Sequence, residues 1–192
     1  MTETINQFPK AYPAIDAATK ALGFDMASDV RTGSLLKTLA SSKPSGRFLE
    51  LGTGTGLSTS WILEGMDENS TLVSIDHDDT LLQVAQNELG TDTRLTLLST
   101  DGEKWITENK NKKFDYIFAD TWHGKYLLLD EVLQMLSPGA FYIIDDMEPQ
   151  PNWPDGHDKK AEKLINDLRA HADLNITKQV WASGIVIGVK IK

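Results

Sequence analysis

The sequence predicts a doubly wound, Rossmann-like α/β fold: a seven-stranded, mostly parallel sheet finished by an antiparallel C-terminal hairpin. Three observations predict it. Five short apolar runs alternate with longer amphipathic stretches. The first run leads directly into a glycine-rich turn, Glu50-Leu51-Gly52-Thr53-Gly54-Thr55-Gly56. The chain closes with two alternating runs split by Ala182-Ser183-Gly184. Repeated strand–helix alternation builds a parallel sheet with helices on both faces.

Taken in order, two helices are expected within about residues 11–24 and 28–42. The five runs follow: Arg47–Leu51, Thr71–Asp76, Arg94–Ser99, Phe114–Ala119 and Ala140–Asp145. They are short and rich in β-branched and aromatic residues, as strands buried on both faces are. Helices are expected between them at Leu57–Gly65, Asp78–Leu89, Gly102–Asn109 and Tyr126–Leu136. In the second of these, Leu81, Leu82, Ala85 and Leu89 form one apolar face. Ser137-Pro138-Gly139 is expected to end the last. A Pro-rich loop, Met147–Gly156, precedes a helix at about 157–171. The runs Asn175–Trp181 and Ile185–Ile191 then read as a β-hairpin.

A chain of 192 residues is long enough for one well-buried core and short for two, so residues 1–192 are read as a single domain. The helices of about residues 1–43 are expected to cover its site. The net charge of -9 repels phosphate backbones, which disfavours nucleic acid as a partner. The basic residues are scattered, and the run Lys110–Lys113 reads as a solvated turn. The absence of cysteine excludes disulfides, thiolate metal sites and cysteine nucleophiles. MTETINQFPK carries no apolar signal core, and no apolar run approaches membrane-spanning length; a cytoplasmic location is expected.

The glycine turn stands between a strand and a helix, with Asp76 ending the next strand about twenty residues on. Glycines let the backbone approach a ligand, a helix N-terminus offers N–H donors, and an acid at that strand end can accept from both ribose hydroxyls. The nucleoside is narrowed by charge. The loop is G-x-G-x-G rather than G-x-G-x-x-G, and the acidic Glu50 precedes it. A carboxylate there repels a diphosphate and suits the sulfonium and ammonium of S-adenosylmethionine (SAM). Gly52, Thr53, Gly54 and Ser58 complete this candidate cradle, Ser58 either as a donor to a methionine carboxylate or as an ordinary helix-start serine. His77 borders either the nucleoside or solvent.

Over about residues 28–191 the chain resembles the class I SAM-dependent methyltransferases, with FLELGTGTGLST matching their first motif. It is most similar to the small metal-dependent O-methyltransferases of the catechol and caffeoyl-CoA type. That resemblance implies ribose binding by Ser74-Ile75-Asp76 and adenine contact by Ser99-Thr100-Asp101-Gly102, with Asp101 and Gly102 as cofactor residues. It implies a metal-ligand aspartate and a base within Phe114–Tyr126. Asp120 becomes a metal ligand beside the cofactor, and His123 falls where the catechol enzymes carry a lysine base. Asp145-Asp146 stands where the family reads Asp-Asn. Resemblance also hints at a homodimer.

Glu50, Asp76, Asp101, Asp120 and Asp145 all end strands or begin the following loops, so five acids are expected along one crevice. Asp120, Asp145 and Asp146 form an all-oxygen set suited to Mg²⁺, Mn²⁺ or Ca²⁺. Packed together without a cation they would repel, unless one is protonated. A metal there would lower the pKa of an acceptor hydroxyl, and His123 would take its proton. The alternatives are that Asp145-Asp146 only caps a strand and starts a loop, and that His123 is a capping or surface residue. Trp105 is expected on the adenine or in the core, Trp122 as a site wall or core, and Trp153 as a lid, a partner contact or loop packing. His157 and His171 are expected at the surface. The reading is SAM-dependent methylation of a small hydroxylated acceptor. The alternatives are a SAM methyltransferase for RNA, a nicotinamide oxidoreductase and a non-catalytic SAM-binding protein.

Overall fold

A computed structural model describes residue 5, residues 7–150 and residues 153–192. The strands are β1 (Arg47–Leu51), β2 (Thr71–Asp76), β3 (Leu95–Ser99), β4 (Phe114–Ala119), β5 (Leu136–Ile144), β6 (Leu174–Gln179) and β7 (Ile185–Lys190). They form one seven-stranded sheet in the order β3-β2-β1-β4-β5-β7-β6. β1 to β5 pair in parallel. β7 runs antiparallel to β6, as the C-terminal turn signal requires, and antiparallel to β5 as well. Strand order reverses between β1 and β4, and a crevice opens there at the strands' C-terminal ends.

The helices are α1 (Tyr12–Ala21), α2 (Val30–Ala40), α3 (Leu57–Gly65), α4 (Asp79–Leu89), α5 (Gly102–Asn109), α6 (Leu129–Gln134) and α7 (His157–Ala170). The period of two along each strand divides the core between the sheet's faces. Phe48, Leu72, Tyr116, Phe118 and Ile143 pack with Ile15, Leu36 and Ile62 on one face. Leu49, Leu51, Ile117, Ala119 and Ile144 pack with Trp105, Val132 and Leu164 on the other. Trp105 is therefore a core residue. Helix starts follow their caps: Asp78 accepts from Thr80 and Leu81 N–H, and Asp101 accepts from Lys104 N–H.

Ser137-Pro138-Gly139 does not stop a helix. It lies inside β5, which begins at Leu136, and the sixth helix is confined to Leu129–Gln134. Phe114 pairs with Leu136, yet Tyr116 pairs with Phe141, so extra residues bulge out of β5 between these pairs. Pro138 has no N–H to give a ladder and fits where the ladder is broken. Of the Pro-rich loop, residues 151–152 lie outside the described set, as do residues 1–4 and 6 of the N-terminal stretch.

Candidate functional site

A cavity of about 1170 Å³ lies over the C-terminal ends of β1, β2, β4 and β5. One end is built from the glycine turn. Gly54 has φ +53, and its N–H donates to Asp76 Oδ2 at 2.8 Å. Asp76 Oδ1 also accepts from the N–H groups of His77 at 2.7 Å and Asp78 at 3.0 Å. Three backbone donors thus hold the Asp76 carboxylate at the cavity wall before any ligand arrives. Gly52 has φ +100, and a Cβ there would stand 2.8 Å from the Asp120 carbonyl oxygen, so only glycine lets the turn lie on the end of β4. Leu57 and Ser58 bring the N-terminus of α3 to the same wall, with N–H groups that have no partner inside the helix.

Glu50 departs from its expected place. It shares a strand face with Phe48, so its side chain turns under the loop rather than into the cavity. It is fully buried. Oε1 accepts from Ser58 Oγ at 2.7 Å, and Oε2 accepts from Ser74 Oγ and Thr59 Oγ1, both at 2.5 Å. Thr53 Oγ1 joins this cluster through Ser74 at 2.6 Å. Burial pushes the Glu50 carboxyl up to about 7, against the three hydroxyls that pull it down. The side chains of Ser58 and Thr53 therefore brace the turn from below, and Ser58 offers a ligand its backbone rather than its hydroxyl. A carboxylate repelling diphosphate at the mouth is not what Glu50 provides.

The opposite end collects Asp120, Asp145 and Asp146 with a residue that sequence reading passed over, Lys125. Lys125 is only 5% exposed; its Nζ donates to the Asp145 carbonyl at 2.9 Å and stands 3.6 Å from Asp120 Oδ1. Asp120 Oδ2 accepts from Ser28 Oγ at 3.2 Å, while Oδ1 is buried without a hydrogen-bond partner. Asp145 Oδ1 accepts from Asp146 N–H at 2.8 Å and from Ser183 Oγ. Burial, then the charge of Asp120, pushes both Asp145 and Asp146 above the usual carboxylate range. Ser183 arrives from the β6–β7 turn, whose Gly184 and Ser183 carbonyls accept from Met147 and Glu148 N–H.

These residues do not fit the expected divalent metal. Among the described residues no three His, Asp or Glu side chains group as a ligand set. An ammonium stands beside Asp120, and Asp145 Oδ1 already holds two donors.

His123 is likewise not beside the acids of this end. Its ring packs against Gly102 at the start of α5, where a Cβ on Gly102 would stand 2.8 Å from Nδ1. Asp101 caps α5, and the Lys104 N–H holds its carboxyl below the usual range. Gly102, His77 and His123 line the cavity on this side, with the His77 side chain largely in solvent.

Aromatic rings wall the end near Lys125. His157, expected at the surface, is buried, with ring centroids of Trp153 at 4.5 Å, Tyr126 at 5.1 Å and Trp122 at 5.6 Å. Tyr126 Oη lies 3.2 Å from His157 Nε2. Burial holds the His157 imidazolium below the ordinary histidine range. Residues Leu22 to Asp29, between α1 and α2, line the cavity from above.

The family profile of the methyltransferase domain matches residues 49–147, from the glycine turn to the exit of β5. A Mycobacterium sp. (strain KMS) protein named "Putative O-methyltransferase" is 32% identical over 139 residues, covering 68% of this chain and 63% of the relative. The chain thus spans less than two thirds of that relative's length. Two solved structures share the fold. The O-methyltransferase TomG from Streptomyces achromogenes, in complex with SAM, superposes with a TM-score of 0.82 at 20% identity over 97% of this chain and 92% of that one. The O-methyltransferase from Bacillus cereus, in complex with SAH, gives a TM-score of 0.83 at 16% identity over 97% and 93%.

Proposed function

This chain belongs to the methyltransferase-domain family, and from that premise we propose that it transfers a methyl group from SAM to an oxygen of a small hydroxylated acceptor. The observation that carries the reading is one continuous cavity with two unlike ends. At one end Asp76 is held by Gly54, His77 and Asp78 N–H beside an open helix N-terminus. At the other, a lysine–aspartate cluster lies under aromatic rings.

Asp76 is suited to accept from the ribose hydroxyls. The first N–H groups of α3 suit the amino-acid carboxylate, since the Gly52, Thr53 and Gly54 N–H groups are committed to the Ile75 carbonyl and Asp76. Bound SAM supplies an electrophilic methyl on a sulfonium. The chain's part is to place the acceptor oxygen against that methyl and to take its proton. Asp146, lining the cavity with its carboxyl raised by burial and Asp120, is a stronger base than a solvated aspartate and is assigned the proton. The flat rings of Trp122, Tyr126 and Trp153 suit a planar acceptor. No step is routed through a metal. An RNA acceptor draws no support from the N-terminal helices, where Lys20 pairs with Asp16, Arg31 with Asp29, and Lys37 with Glu64.

Calorimetry tests this. SAM and SAH are expected to bind and NAD⁺ not. Asp76→Ala is expected to lose at least about tenfold in SAM affinity, the worth of about 1.4 kcal/mol of ribose contact, with its melting curve little changed. Failure of SAM to bind, or wild-type affinity in the variant, removes the reading.

A further inference from the structure

Three acids line one end of a cavity, and the positive charge beside them comes from the chain itself. Lysine is almost never buried unless paired, yet Lys125 is 5% exposed at the wall of the acceptor end. The turn that delivers it is tightly held. Gly124 has φ +82, and a Cβ there would stand 2.8 Å from Leu51 Cδ1. The Gly124 carbonyl accepts from Tyr142 Oη, and its N–H donates to the Leu127 carbonyl at 2.7 Å. Lys125 is thereby fed inward, while its neighbours Trp122 and Leu127 stay exposed.

We infer that the Lys125 ammonium is the resident cation of the acceptor end, standing where a divalent metal would otherwise be needed and presenting a charged N–H to the acceptor oxygen. The inference rests on the cavity's reading as a methyl-transfer site. An ammonium has three N–H groups. One goes to the Asp145 carbonyl, and no other described partner lies within hydrogen-bond distance. Asp120 Oδ1 is buried, orphaned and 3.6 Å away, close enough for the charges to attract while leaving Nζ free to turn toward an incoming oxygen. A divalent ion needs several oxygen ligands at about 2.0–2.6 Å. Here it would meet a fixed positive charge instead, with Asp145 Oδ1 already committed to Ser183 and Asp146. Oxygen developing negative charge would find in Lys125 a donor in place before reaction.

Manganese titration followed by electron paramagnetic resonance tests this at about pH 8, where ordinary carboxylates are ionised, with Mn²⁺ alone as probe. Wild type is expected to take up no Mn²⁺ below about 1 mM, the weak end of protein sites for hard cations. Lys125→Met keeps the stem and removes the charge, and is expected to bind Mn²⁺ at least tenfold more tightly than wild type. Lys125→Arg is expected to behave as wild type. SAM calorimetry on each protein reports both folding and the nucleoside reading, separately from the cation. Micromolar Mn²⁺ uptake by wild type overturns the inference. So does a Lys125→Met variant that binds SAM normally yet gains no Mn²⁺ affinity. Should that variant fail to fold, the wild-type titration decides alone.

Discussion

Glu50 shows how position within a strand outranks residue type. As an acid beside a glycine turn it reads as a ligand contact, but alternation along β1 sends it to the α3 face among Ser58, Thr59 and Ser74. Its carboxyl is raised from 4.5 to about 7, chiefly by burial. The native state therefore holds that proton more firmly than the unfolded chain. The associated stability is whole below about pH 4.5 and is lost as pH climbs through about 7. Glu50→Gln, which cannot ionise, should flatten its share of that loss. Relative to wild type it should gain up to about 3 kcal/mol between pH 5 and pH 8, at about 1.4 kcal/mol per pH unit. Denaturant unfolding at both pH values measures this, and parallel pH profiles for the two proteins refute it. Lys125 teaches the converse: an isolated lysine before Tyr126 carries no sequence mark distinguishing a buried cation from a solvated one.

Strand ends and turns supply the site, and they differ in how readily the chain announces them. The glycine turn and the end of β2 were legible because backbone chemistry is local: positive φ, an open helix start and an acid at a strand terminus all follow from residue type and order. The β5 bulge was not, because Ser-Pro-Gly breaks a helix and a ladder equally well, and the choice belongs to the pairing of β5 with β4. Nor was Ser183, a turn residue brought to Asp145 by the β6–β7 hairpin. Gly184 locks that turn: it has φ +82, and an added Cβ would stand 2.5 Å from the Glu148 amide nitrogen. Gly184→Ala should cost about 2 kcal/mol or more, from left-handed strain and the clash. At this chain length that lowers Tm by roughly 4–8 °C in a thermal melt. An unchanged Tm would mean that the hairpin does not brace the site.

Segments far apart in the chain share a single cavity: Leu22 to Asp29 above it, the glycine turn and Asp76 at one end, and Trp153, His157 and Ser183 at the other. Ser28 reaches Asp120 across 92 positions of sequence. If the α1–α2 connection closes over bound nucleoside, SAM should slow amide hydrogen exchange in residues 22–29 by at least about tenfold, the effect of about 1.4 kcal/mol of added local stability. Exchange there that ignores SAM would leave the loop a bystander. Helix and strand order, the parallel sheet with its antiparallel end, and the glycine turn with Asp76 beside it were all written in local pattern, since periodicity, caps and glycines act over a few residues. Which acids meet, that Glu50 faces inward, that His123 leans on Gly102 rather than on the aspartates, and that Lys125 joins them were set by packing between distant elements. Burial and charge pairing are properties of neighbours in space, and adjacency along the chain does not encode them.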